Sequence, residues 1–381
     1  MSSLLVAQDT IRDIMQDAVA MRTPLRIAGR SHWIDAGRPV DATRIVPLAT
    51  HSGVIDYVPG DLTITVRSGT TLKEIDDITA AEGQWFPLDP FGSRDGTIGA
   101  TIATGSFGPL AGAFGRARDL ILGIEFITGD GKPVRGGGRV VKNVAGFDLV
   151  RLITGSWGTL GVITEATLRL YSKPANSVTL GIGVSDNPTA LQQRINSVLS
   201  APGIPYSVEL IDAGVASRLQ LAEKPQILIR LGGNSAAMAA QRSAIESLGG
   251  ARTIDSQVWD NLRTLEDLTG DAPPLVMRLS TVPQQVGQLW HAIHHALGEQ
   301  PAFVHATPSL GIVRCILPPD TTLDAIETLS QLQASVIFER LSREGWERFS
   351  PSVVSDRISQ RVKAAFDPSN ILNPGILGPK L

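Results

Sequence analysis

Cys315 is the only cysteine in the chain. A single thiol closes no intramolecular disulfide, and alone it holds neither an iron–sulfur cluster nor a Cys-rich zinc site, so a reducing, cytoplasmic setting is expected. An excess of charge of one sign is missing too. The 34 Lys and Arg against 37 Asp and Glu leave a formal charge of −3, which gives no broad basic field for nucleic acid or anionic lipid. No apolar run approaches the roughly 20 residues that span a bilayer. The opening MSSLLVAQDTIRD lacks the basic start and apolar core of a secretion signal, so any place at the inner membrane is expected to be peripheral and through partners. Repeats of diagnostic length and low-complexity tracts are also absent.

What remains is a globular composition. With 381 residues and 43% hydrophobic content, the chain is long enough for a large core and is expected to form two domains. From Thr10 to Arg22, Ile11, Ile14, Met15, Ala18 and Val19 share one face at helical spacing, and PLRIAG then reads as a short strand entering a glycine turn. DLTITVRSG alternates as a strand, and TTLKEIDDITAAEG reads as a capped helix ended by Gly83. Residues 87–138 are crowded with Gly, Pro, Thr and small side chains, which suits a chain that approaches a ligand closely.

GSWGTLGVITEATLRL, residues 155–170, spaces its glycines as Gly155-x-x-Gly158-x-x-Gly161 and runs into an alternating strand. A Rossmann fingerprint needs Gly-x-Gly-x-x-Gly between a strand and a helix, so neither spacing nor context fits. Beyond about residue 175, SVTLGIGV, QILIRLGG and SLGIVRCILP read as strands, interleaved with helical patterns at 188–199, 235–248, 257–268 and 282–297. A second domain of α/β or α+β type is expected there. The tail repeats Val354, Ile358, Val362 and Phe366 at four-residue intervals and ends in the turn-rich DPSNILNPGIL.

Four ordered motifs, DGTIGATIATGSFGP (95–109), GRARDLILGIEFITGDGKPV (115–134), KNVAGFDLVRLITGSWGTLGVITEATLRL (142–170) and FDPSNILNPG (366–375), resemble the flavoproteins of the vanillyl-alcohol oxidase type, the FAD-binding PCMH fold. Within that family, GGGRVVKNVAGFDL followed by GSWGTLGV is most similar to the FAD-binding subunits of bacterial glycolate oxidase; Trp157 stands where many self-sufficient relatives have Glu. The resemblance implies an α+β fold: a two-subdomain PCMH-type FAD-binding domain over 1–175, an inserted α/β cap over 176–335, and a segment over 336–381 returning to the FAD domain.

By the same resemblance, Ala28, Gly29, Arg30 and Ser31 hold the FAD pyrophosphate together with Gly96, Thr97, Ile98, Gly99 and Ala100, with Thr104 and Gly105 alongside. Gly161, Val162 and Ile163 line the adenine and ribose end; Asn143, Gly146 and Asp148 approach from the other wall. Asn373 sits near the flavin ring, and Pro87, Leu88 and Asp89 pass beside it. Glycine-rich turns make independent sense, because successive backbone N–H groups form concave anion sites without a helix fingerprint. Taken alone, RARD (116–119) reads as a solvated loop with Arg118 paired to Asp119 rather than a phosphate clamp.

Covalent members of the superfamily attach flavin through a histidine in Arg-x-Gly-Gly-His-Ser. Here the run is Arg26-Ile27-Ala28-Gly29-Arg30-Ser31, His32 is out of register, and Cys315 offers no second attachment point, so non-covalent FAD is expected. Related hydroxy-acid dehydrogenases carry a cap His cluster and a C-terminal Glu-His pair that hold a metal, and neither motif stands here. His291, His294 and His295 fall on an amphipathic helix and read as structural rather than metal-binding. His305 is the one candidate catalytic histidine, since it aligns with a cap strand facing the flavin in relatives.

Two functions follow. The first is an FAD-binding subunit of a glycolate-oxidase-like complex, with a sister FAD-binding catalytic subunit and an iron–sulfur subunit as partners and a small 2-hydroxy acid as substrate. The second is a self-contained FAD-dependent oxidoreductase for a small hydroxy acid or alcohol, with its base among His305, Arg314, Glu339 and Arg340.

Overall fold

The computed structural model describes residues 6–40, 42–138, 147–268, 272–349 and 356–378. They form two compact units, the first from Met1–Phe107, Gly115–Lys173 and Ser350–Leu381, the second from Gly108–Phe114 and Pro174–Phe349.

In the first unit the N-terminal helix Val6–Met21 forms where the apolar stripe requires it. Ile11, Met15 and Ala18 are buried and Ile14 and Val19 pack against the same cluster, together with Leu25, Val46, Ile127, Val162, Ile371 and Leu372. The strand Leu25–Ala28 pairs in parallel with Arg44–Pro47 and turns at Gly29. Beside this pair lies a five-stranded antiparallel sheet in the order Val54–Val58, Thr63–Arg67, Val162–Arg169, Ile121–Ile127, Pro133–Gly137. The helix Leu72–Ala80 starts at a capping box: the Glu74 amide donates to Thr71 Oγ1 at 3.0 Å, and the Thr71 amide donates to the Glu74 carboxylate at 2.7 Å.

The tail closes this unit. After the helix Arg357–Phe366, the Asp367 carboxylate accepts from the amides of Ile371 and Leu372 at 3.1 and 2.8 Å. The Leu25 amide then donates to the Ile371 carbonyl at 2.7 Å and the Asn373 amide to the Leu25 carbonyl at 2.9 Å, which fixes the tail along the first strand.

The second unit is built on an eight-stranded sheet in the order Ala251–Ile254, Asn176–Gly183, Gln226–Gly233, Ser207–Ile211, Phe303–Thr307, Ile312–Leu317, Leu275–Ser280, Ser335–Arg340. Every pair is antiparallel, so of the two arrangements open from the sequence it is the α+β one. Alternate residues face opposite sides of a strand. Leu210, Val304, Ala306, Val313 and Cys315 share a core with Leu191, Ile195, Trp290 and Ile293 from the helices Pro188–Leu199 and Val286–Leu297. On the opposite face Ile211, Leu228 and Ile316 pack with Val258, Trp259 and Leu262. The strand Ser335–Arg340 pairs with Leu275–Ser280, so the chain leaves the second unit later than residue 335. No helix among the described residues is long and apolar enough to cross a membrane.

Candidate functional site

A cleft of about 1100 Å³, its open mouth included, lies in the first unit. One wall is the turn after the first strand, Gly29 to Ile34; a second is the helix Ile98–Thr104. The loop carrying Trp157, Gly158 and Gly161 and the tail residues Asn373 and Ile376 close it.

The turn is built to receive an anion. Ser31 adopts φ +63°, and within the described residues the amides of Gly29, Arg30, Ser31 and His32 donate to no protein acceptor. Successive free N–H groups around a left-handed residue form an anion nest. Gly29 is required here by close approach, since a Cβ would lie 2.3 Å from Thr97 Oγ1. Ser68, on the same cleft, is buried and its hydroxyl has no hydrogen-bond partner among the described residues. Buried polar groups left unmet by protein mark a ligand's place. These donors suit a pyrophosphate, the apolar lining from Ile27, Leu48, Leu72 and Phe91 suits planar rings, and together they fit a dinucleotide.

The helix does not offer its first amides to the cleft. The Ile98 amide donates to Thr70 O and the Gly99 amide to Ser68 O, both at 2.9 Å, and the Ala100 amide meets Thr97 Oγ1 at 3.4 Å. Its start is therefore tied to the strand end Ser68–Thr70, and the free donors come from the turn at 29–32.

Of the residues singled out by sequence, Ala28, Gly29, Arg30, Ser31, Gly96, Thr97, Gly99, Ala100, Thr104, Gly161, Ile163 and Asn373 come together on this cleft. Ile98 and Val162 do not: both are fully buried, Val162 in the cluster under the N-terminal helix. Leu88 is buried too, and it is the next stretch, Pro90 to Ser93, that reaches the cleft in place of Pro87 to Asp89. Gly105 is the left-handed C-cap of its helix, φ +65°, and Asp148 caps the helix Leu149–Ile153 through the Arg151 amide at 3.0 Å. Asn143 and Gly146 lie outside the described residues. Gly161 answers a packing demand, since a Cβ there would lie 2.5 Å from Phe126 Cδ2. Arg118 lies 3.9 Å from Asp119, and Arg116 stacks over Phe107 at 4.5 Å.

Arg26, Ser68 and Trp157 line the cleft as well. Burial lowers the Arg26 guanidinium from its ordinary value, opposed by Asp35, and its Nη2 donates to the Ile34 carbonyl at 2.8 Å, bracing the turn. The strand alternation in PLRIAG marks Arg26 as a residue off the core face; a lone serine such as Ser68 carries no signal.

His305 belongs to the second unit. It is buried, with Nδ1 2.6 Å from the Glu209 carboxylate, whose other oxygen accepts from Thr307 Oγ1 at 2.9 Å. The register pairs His305 with Arg314. Arg314 donates through Nε and Nη2 to Glu339 at 3.0 and 2.9 Å and through Nη2 to Glu266 at 2.5 Å; Arg340 binds the second oxygen of Glu266 at 2.7 Å. Glu266 and Glu339 push the Arg314 guanidinium further above its ordinary value against its burial. The four side chains named from sequence for autonomous chemistry thus share one sheet region. Among the described residues no group of three His, Cys, Asp or Glu is placed to hold a metal. Cys315 is buried, and burial pushes its thiol far above the ordinary range.

The comparisons agree with this architecture. The model of the FAD binding domain matches residues 6–137. The glycolate oxidase subunit GlcE of Escherichia coli is 34% identical over 70% of this chain and 71% of its own length, and the glycolate oxidase subunit GlcD of Bacillus subtilis is 26% identical over 96% and 86%. In fold, a 4-ethylphenol oxidase from Gulosibacter chungangensis superposes with a TM-score of 0.75 at 14% identity, covering 97% of this chain and 87% of that one. The nest, the unmet hydroxyl and the apolar walls fit the cofactor that the matching domain family names: the chain belongs to the FAD-dependent oxidoreductase family of the glycolate oxidase subunits, with the PCMH-type fold and FAD as its cofactor.

Proposed function

We propose that this chain is the FAD-binding subunit of a glycolate-oxidase-like complex, working beside a sister flavin subunit that oxidises a small 2-hydroxy acid and an iron–sulfur subunit that takes the electrons. The observation that carries the reading is the 34% identity to a glycolate oxidase subunit over most of both chains. FAD, when bound, supplies two-electron acceptance and one-electron redelivery, which a hydroxy-acid oxidation coupled to an iron–sulfur partner requires. The residues of this chain hold and orient it. The amides of Gly29 to His32 would receive the pyrophosphate, with Thr97, Ala100 and Thr104 as the facing wall, and Ile163 and Gly161 would flank the adenylate, with Asn373 closing the tail side; all of these line the cleft. The cofactor is held without a covalent bond, Arg30 standing on the turn where an attachment histidine would be.

The charge arrangement of the second unit supports a subunit whose own chemistry is limited. Arg314 and Arg340 each meet Glu266, and Arg314 also meets Glu339, so these guanidinium groups are engaged with carboxylates rather than presented to an anionic substrate. Steady-state oxidation of glycolate or D-lactate with a dye acceptor tests the reading. The account expects no turnover from the chain alone and turnover once both partner subunits are added; turnover by the isolated chain contradicts it.

A second reading, a self-contained hydroxy-acid oxidoreductase, is favoured by one observation. His305 and Glu209 form a base-and-orienter pair at 2.6 Å, the geometry in which a carboxylate fixes the tautomer of a general base. If it is right, His305→Gln abolishes turnover by the isolated chain while FAD content stays the same.

A further inference from the structure

Trp157 stands on the cleft in a backbone conformation that bulky residues rarely adopt, φ +54°. Such strain persists only where surrounding structure over-determines it, and it concentrates at ligand sites. The constraints here are explicit. The Trp157 amide donates to the Ala103 carbonyl at 2.7 Å, and its carbonyl accepts from Asn373 Nδ2, also at 2.7 Å. Asn373 is itself left-handed, φ +42°, and its side-chain oxygen accepts from the Ile27 amide at 2.9 Å. Two residues beyond Trp157, the Thr159 carbonyl accepts from Lys363 Nζ at 2.9 Å. That buried ammonium also donates to Leu372 O at 3.1 Å and Asp367 at 2.6 Å.

The indole is supported from behind. A Cβ at Gly37 would lie 2.9 Å from its Cζ3 and 3.0 Å from Ile376 Cγ1, so the ring and Ile376 close over that glycine. Trp157 nevertheless remains half-buried and lines the cleft. A rigid, half-exposed π surface at fixed height on a cleft with an anion-receiving turn and apolar walls suits one task, stacking on a flat ring.

We propose that Trp157 is a cofactor-binding residue whose indole is the stacking platform for one aromatic ring system of FAD, with Asn373 and Lys363 as the positioning residues that hold it. The proposal rests on the cleft being the FAD site, and the experiment keeps the two apart. Apoprotein of the wild type, Trp157→Phe, Trp157→Gly and Ala100→Glu is titrated with FAD, FMN and ADP, and apoprotein melting is recorded for each. Trp157→Phe keeps a ring and holds FAD within about threefold. Trp157→Gly, whose backbone accepts positive φ without strain, weakens FAD by about tenfold or more while the apoprotein stays folded. Weakening confined to FMN assigns the isoalloxazine, and weakening confined to ADP assigns the adenine. In the wild type, FAD quenches a share of tryptophan emission that Trp157→Phe lacks. Unchanged affinity for all three ligands in Trp157→Gly, or undiminished quenching in Trp157→Phe, overturns the proposal. If Ala100→Glu binds FAD as the wild type does, the cleft assignment itself fails.

Discussion

His294 donates from Nδ1 to the Trp290 carbonyl at 2.9 Å and stacks on the Trp290 ring, with its Nε2 3.7 Å from the Asp212 carboxylate. Burial lowers its pKa, but Asp212, the Trp290 carbonyl and Asp186 together outweigh that and raise it above the ordinary histidine value. A raised folded-state pKa stabilises the fold fully below the unfolded value of about 6.5 and loses that contribution as pH rises through the folded value. Unfolding of wild type against His294→Gln should therefore differ most near pH 5.5 and least near pH 8. A difference that grows with pH rules the pairing out. Ala100 offers a second test at this scale. It is exposed at the third position of the helix capped by Thr97, so Ala100→Glu completes a Thr-x-x-Glu capping box and should raise apoprotein stability by about 0.5 kcal/mol. The same carboxylate stands on the anion's side of the cleft, where like charges oppose by several kcal/mol, so FAD affinity should fall by at least about a hundredfold. A coupled loss of both stability and affinity would show that the substitution acts through the fold instead.

The tail and the loop at 155–161 are joined through Lys363 and Asp367, a buried ion pair whose members are otherwise fully engaged with backbone groups. Removing one partner of such a pair costs about 3–5 kcal/mol, because the other charge is left buried alone. Lys363→Met should lose about that much in urea unfolding. The double variant Lys363→Met with Asp367→Asn should recover part of it, since no charge is then buried alone, while the amide keeps one oxygen for the Ile371 amide and leaves the Leu372 amide facing its NH2 group. Equal losses in the single and double variants would contradict the pairing. This junction was legible only in part. DPSNILNPG announced a turn-rich end, but no spacing in KAAFDPSN shows that Lys363 reaches a carbonyl some 200 residues away in the chain. Elements with one wet face were easier. The pattern at 188–199 coincides with Pro188–Leu199, and the stripe from Ile11 to Val19 is the buried face of its helix. The strand Ile121–Ile127 was hidden inside a stretch read as ligand-approaching loop, because it is buried on both sides and shows no alternation.

Across the whole chain, sequence motifs located the cleft but misjudged how its parts work. Ala28 to Ser31, named for the pyrophosphate by resemblance, lie on the cleft at the turn after the first strand. Ile98 and Val162 were swept in by adjacency to Gly99 and Gly161, although strand and helix geometry sends their side chains into the core. The second unit was placed from residue 176, close to its start at Pro174, but its end was set early because Ser335–Arg340 joins the sheet through pairing with Leu275–Ser280, a contact of long sequence separation. His305, Arg314, Glu339 and Arg340 were named singly; only the antiparallel register puts His305 beside Arg314 and brings Arg314, Glu339 and Arg340 into one ionic cluster with Glu266. The central claim is that this chain binds FAD in its first unit and does not reduce that flavin with substrate on its own. The most direct measurement is the visible spectrum of the purified, anaerobic protein before and after addition of glycolate or D-lactate. The account predicts flavin absorption bands that are released by denaturation and that stay unbleached by either acid until the partner subunits are added. A colourless protein that takes up no FAD, or a flavin that bleaches at once in the isolated chain, would contradict it.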